Sequence, residues 1–153
     1  MIYILSIMKT KISVVLILLA VCTVLLSFIS TAPNEELPIN APIPQADYKM
    51  KDVSGKMLSL GEVKSNKGLL VVFSCNTCPY VKLSESRIKE YSDFCLANGI
   101  GCILVNSNEA QRNEDDSFDE MVKYYAAKQL KCAYVVDEKS TLANAFGAGR
   151  TPQ

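Results

Sequence analysis

The chain has 153 residues, 49% of them hydrophobic, enough for one modest domain plus a leader segment. Its 16 Lys and Arg balance its 16 Asp and Glu, and no basic patch stands out, so no nucleic-acid partner is expected. Histidine and tryptophan are absent, which removes Ser-His and Cys-His nucleophile pairs and His-ligated zinc or copper sites within the chain.

Lys9 and Lys11 precede an uncharged run from Ile12 to Ile29, and Ser30-Thr31-Ala32 and the acidic Glu35-Glu36 follow it. Positive charge before and negative after orients such a segment with its N-terminus in the cytoplasm and the remainder exported. The run falls between the length of a signal core and the roughly 20 residues of a full span. Ser30 and Ala32 suit cleavage, whereas Pro33 opposes it. Residues 1–30 are therefore expected to be either a signal peptide or an N-terminal membrane anchor. The domain would then lie in the periplasm or on the extracytoplasmic face of the membrane. Cys22 lies inside the run as membrane filler. Cys75, Cys78, Cys95, Cys102 and Cys132 remain, an odd number that does not read as a disulfide framework.

Residues 31–45 hold Pro33, Pro38, Pro42 and Pro44 and are expected to form an extended tether. The domain, residues 46–153, opens with an alternating strand over Asp47–Val53, a turn at Ser54-Gly55-Lys56 and a short return strand over Met57–Leu60. Leu69–Phe73 is continuously apolar, as in a buried central strand. A helix is predicted over Pro79–Asn98, with Val81, Ser84, Ile88, Tyr91 and Cys95 on its inner face and Asn98-Gly99 as its stop. Gly101–Asn106 is the next buried strand, and Ser107–Asp116 an acidic, solvated loop. Ser117-Phe118-Asp119-Glu120 has the pattern of a capping box, opening a helix with Phe118, Met121, Val122 and Tyr125 facing inward. Ala133–Val136 is a third buried strand, and Ser140–Phe146 a short helix stopped by Gly147. Strands alternating with helices predict an α/β fold with a mostly parallel sheet. Cys95, Cys102 and Cys132 fall among apolar neighbours and are expected in the core.

The stretch VVFSCNTCPYVK, Val71–Lys82, carries the chemistry. A c-type haem needs histidine after the second cysteine, where Pro79 stands. A zinc site needs four ligands, and there is neither a second Cys-x-x-Cys nor a histidine, so no metal and no cofactor is expected. Two incidental core cysteines would not sit in a polar loop around Asn76 and Thr77. Thiol chemistry remains, because a helix N-terminus stabilises a thiolate through unpaired N–H groups and the helix dipole. Proline is favoured at the first helical position, which puts Pro79 there and Cys78 at the N-cap. Cys78 is thus the expected nucleophile and Cys75 the resolving partner.

LLVVFSCNTCPYVK, ILVNSNEA, EDDSFDEM, AYVVD and FGAGRTP together resemble the thioredoxin-like superfamily, nearest its exported thioredoxin-like and peroxiredoxin-like (AhpC/TSA, redoxin) members, over Asp47–Pro152. The resemblance implies a thioredoxin-like fold, a central sheet flanked by helices, whose C-terminal hairpin and helix are not represented before Gln153. Matched without gaps, it sets Cys78 on the attacking cysteine, with Val81 where thioredoxins carry the resolving cysteine and Cys75 where peroxiredoxins carry threonine. It also makes Thr151 and Pro152 the cis-proline loop that docks substrate. The expected function is an exported thiol–disulfide oxidoreductase. Its partners would be protein or small-molecule disulfides and thiols, together with a membrane or periplasmic thiol reductant. A peroxidase acting on hydroperoxides, and a binding module whose Cys75–Cys78 disulfide is a structural clip, remain open.

Overall fold

The computed structural model describes residues 35–153. The expected signal peptide or anchor (1–30), Cys22 within it and the first tether residues (31–34) lie outside the described residues. Apolar runs form the strands Met50–Asp52 (β1), Met57–Leu58 (β2), Leu69–Ser74 (β3), Gly101–Asn106 (β4) and Ala133–Val136 (β5). The helices are Leu60–Val63 (α1), Pro79–Ala97 (α2), Phe118–Ala127 (α3) and Thr141–Phe146 (α4), with 3-10 turns at Glu109–Gln111 and Glu138–Ser140. The three buried strands and the long helix thus fall where the sequence predicts them.

The first hairpin is shorter than expected. Leu60 begins a helix rather than ending a strand, because Glu62 turns back to accept the Ser59 N–H (2.9 Å) and hydroxyl (3.2 Å). The capping box predicted at Ser117 does not form: Ser117 is the N-cap of α3, but its side chain makes no cap bond and Glu120 pairs with Lys123 instead.

The sheet has the order β2-β1-β5-β4-β3. β3, β4 and β5 are parallel, while β1 is antiparallel to both β5 and β2. Successive residues of a strand point to opposite faces, and this alternation divides the core in two. Ile103, Val105 and Val135 pack with Met50, Leu60, Phe73 and Leu142, on the side covered by α1 and α4. Cys102, Leu104, Tyr134 and Val136 pack with Cys95, Met121, Leu130 and Cys132, on the side covered by α2 and α3. The three core cysteines are buried, as their apolar surroundings predict.

Two helix faces differ from their predicted stripes. Tyr91 is 55% exposed, and Ser92 is buried in its place, its hydroxyl donating to the Ile88 carbonyl (2.7 Å) so that it enters the core without an unpaired polar atom. Val122 also faces outward. Within the stretch expected as a tether, Ile43 packs on the core and the Leu37 N–H donates to the Phe146 carbonyl (3.1 Å). The contact needs glycine at 147: φ is +66°, and a Cβ there would lie 1.9 Å from the Glu35 carbonyl oxygen.

Candidate active site

β3 runs into the two-cysteine loop, and α2 starts directly after it. Pro79 is the first helical residue and Cys78 the N-cap, with extended backbone (φ −60°, ψ 124°). The missing proline N–H costs nothing at this position, where no helical acceptor exists. The Cys78 N–H donates to the Cys75 sulfur (3.2 Å). Thr151 closes the site from the far end of the chain: its carbonyl accepts the Cys78 thiol (3.3 Å), and its hydroxyl lies 3.5 Å from the Cys75 sulfur. The Thr151-Pro152 peptide is cis. Gln153 pairs with Phe73 in both directions (2.8 and 3.2 Å), which pins this loop to β3. Cys75, Cys78, Thr151 and Pro152, four residues singled out in the sequence, are therefore brought together, with both thiols free.

The two sulfurs sit in different surroundings. Cys75 is 2% exposed, whereas Cys78 is only partly buried. Burial pushes the Cys78 thiol up. Hydrogen bonds from the Thr151 side chain, from the Val81 and Tyr80 amides and from Cys75 together outweigh it and leave Cys78 below the ordinary thiol range. Both cysteines line an open groove of about 430 Å³, together with Ser107, Asn108, Arg150 and Thr151. The arrangement offers a partly exposed, stabilised thiolate with a second sulfur behind it. Val81 is buried in the core, and Tyr80 is turned out to solvent (71% exposed).

Behind the loop is a polar network that the sequence reading missed. Asp116, expected in a solvated loop, is fully buried. Its carboxylate accepts from the Asn76 N–H (2.6 Å), the Thr77 hydroxyl (2.9 Å), and the side-chain amides of Asn106 and Asn108 (2.7 Å each). The Tyr134 hydroxyl donates to the Asn76 side-chain oxygen (2.8 Å) and accepts from Asn106 (3.1 Å). The only signal in the sequence was the clustering of asparagines at the end of β4 and of Asp115-Asp116 just before the helix at Phe118. The pairing itself spans about 40 positions.

A three-stranded parallel core with an antiparallel edge, helices on both faces, and a Cys-x-x-Cys at a helix N-terminus opposite a cis-proline define a thioredoxin-like fold. Residues 39–153 match the AhpC/TSA family model, and the chain belongs to that family. Among solved structures it is similar to an uncharacterised conserved protein from Geobacillus kaustophilus, with 28% identity and a TM-score of 0.70 over 75% of this chain and 60% of that one. It is also similar to a hypothetical protein from Sinorhizobium meliloti 1021, with 27% identity and a TM-score of 0.67 over 78% and 65%. The chain thus spans less than two thirds of the length of either. A secreted Mycobacterium tuberculosis disulfide oxidoreductase homologous to E. coli DsbE shares the fold, at 11% identity and a TM-score of 0.55 over 71% of this chain and 73% of that one. No curated protein sequence matches.

Proposed function

We propose that this member of the AhpC/TSA family is an exported thiol–disulfide oxidoreductase in which Cys78 attacks and Cys75 resolves. The observation that carries the reading is the setting of Cys78: the N-cap residue of α2, partly open to a groove, its thiol 3.3 Å from the Thr151 carbonyl and its N–H on the Cys75 sulfur at 3.2 Å. The thiolate is the nucleophile in such exchange. The Cys78 thiolate attacks one sulfur of a substrate disulfide, that S–S bond breaks, and the departing sulfur leaves as thiolate. Cys75, after losing its proton, attacks the Cys78 sulfur of the mixed disulfide and expels the second substrate thiolate. The pair is left oxidised and the substrate reduced by two electrons. A membrane or periplasmic thiol reductant would restore the dithiol, in keeping with the charge pattern around Ile12–Ile29 that favours export. The groove beside Thr151 and Pro152 would take the substrate, a protein or small-molecule disulfide.

Trapping tests this assignment. Cys75→Ser is expected to accumulate a mixed disulfide on Cys78 when the reduced protein meets a disulfide substrate, and Cys78→Ser to trap none. Efficient trapping through Cys75 in the Cys78→Ser protein would reverse the roles. Rapid consumption of hydroperoxide with a sulfenic acid on Cys78 would replace the reading by the peroxidase one.

A further inference from the structure

Asn76 and Thr77 are the two residues between the cysteines, and both are held by one buried carboxylate. Asp116 reaches the Asn76 N–H with one oxygen and the Thr77 hydroxyl with the other, while Asn106 and Asn108 complete its shell. The loop is also held from the other side, since the Asn76 side chain donates to the Asp115 carbonyl (2.9 Å) and accepts from Tyr134. Arg112 fixes the backbone around the carboxylate by donating to the carbonyls of Asp116 (3.0 Å) and Asn106 (2.8 Å). A buried carboxylate is costly unless fully hydrogen-bonded, and an apolar residue could fill the same space without that cost. All four bonds to the carboxylate come from the cysteine loop or from the Asn106 and Asn108 side chains at the end of β4 beside it. That concentration separates Asp116 from a general core-filling role.

We propose that Asp116 is a positioning residue for the two-cysteine loop: by clamping Asn76 and Thr77 it holds Cys75 and Cys78 at the spacing from which their disulfide closes. The inference rests on the redox reading above. A disulfide forms only within a narrow range of sulfur geometries, and ordering a loose loop to meet it carries an entropic cost. A loop already tied down by folding does not meet that cost at the moment of closure.

The test is an equilibrium titration of the full chain, held in mild detergent, against mixtures of reduced and oxidised glutathione. Each closure passes two electrons from the Cys75–Cys78 dithiol to oxidised glutathione and releases two molecules of reduced glutathione. Asp116→Asn keeps the volume but opposes an amide to the Asn108 and Thr77 donors. It is expected to lower the closure constant roughly tenfold, a rise of about 30 mV in potential. Thr77→Val, at a half-buried position, is expected to lower it roughly fivefold, and Thr77→Ser, which keeps the hydroxyl, to restore it. In the double variant the effects of Asp116→Asn and Thr77→Val should be less than additive. Closure constants within twofold of the parent for both, even with a lowered melting temperature, would overturn the proposal and leave Asp116 a structural residue. Should Asp116→Asn not fold, the contrast of Thr77→Val with Thr77→Ser decides alone. If the unaltered pair closes at no glutathione ratio, the redox reading falls and this inference with it.

Discussion

Cys75 and Cys78 stand three positions apart and differ in nearly everything a sulfur responds to. Cys78 caps α2, is partly open to the groove and is held below the ordinary thiol range, while Cys75 is buried and accepts the Cys78 N–H. The difference follows from Pro79, which starts the helix and so decides which cysteine is the cap. That local rule needs no knowledge of the remaining fold, which is why the cap position could be read from the motif alone. Thr151 depends on the whole fold. It touches both sulfurs, one through its carbonyl and one through its hydroxyl, and only the family resemblance, not any local pattern, placed it there.

At the scale of elements, the short helix α4 is held by a buried carboxylate cap. Asp137, fully buried after β5, accepts the Leu142 and Ala143 N–H groups of α4 (2.8 and 2.9 Å) and the Ser107 hydroxyl (2.7 Å). Residues of α4 and Ser107 line the groove, so the same carboxylate supports its far wall. Asp137→Ala leaves two buried amides unsatisfied and is expected to cost about 2 to 4 kcal/mol, read as a lower urea midpoint at unchanged slope. Asp137→Asn, which retains one acceptor, should lose less. Equal, near-zero losses for both would contradict the cap. This cap was not legible in the sequence. Lys139 and Ser140 take left-handed backbone (φ 57° and 51°), so Asp137 caps from outside the spacing that sequence rules use. At Ser117 the error ran the other way, because the pattern of a capping box says nothing of the Lys123 that captures Glu120. The long strands and α2 were legible, since an apolar run or a 3.6-residue period registers burial directly.

For the whole molecule, βαβ alternation predicts a mostly parallel sheet and accounts for the parallel β3, β4 and β5, but the sheet is mixed: the antiparallel β1 beside β5 and other contacts distant in sequence do not follow from it. Its acidic neighbours predict a solvated Asp116, whereas the partners that bury it, Asn76 and Thr77, lie about 40 positions away. The buried titratable groups set how the fold responds to pH. The hydrogen bond with Cys132 and then burial push the Cys102 thiol up, and burial pushes the Tyr134 hydroxyl up. The native chain therefore keeps these protons after the unfolded chain has lost them, so stability falls as pH rises past the ordinary thiol value of about 8.5 and tyrosine value of about 10. Cys78 has the opposite sign: its contribution is fully present above the ordinary thiol value and is lost as pH falls through its lowered one. Chemical denaturation of the reduced protein is expected to show a decline above roughly pH 9, at most about 1.4 kcal/mol per pH unit for each buried group. Constant or rising stability in that range would contradict the burial of Cys102 and Tyr134.

The measurement closest to the central claim is the pH dependence of iodoacetamide alkylation at each cysteine of the reduced full chain, followed by peptide mass spectrometry. The account predicts that Cys78 reacts fastest and stays reactive well below the ordinary thiol range, while Cys95, Cys102 and Cys132 stay protected by burial. If Cys75 reacts first, or if Cys78 titrates like a free thiol near about 8.5, Cys78 is not an activated nucleophile and the oxidoreductase mechanism is contradicted.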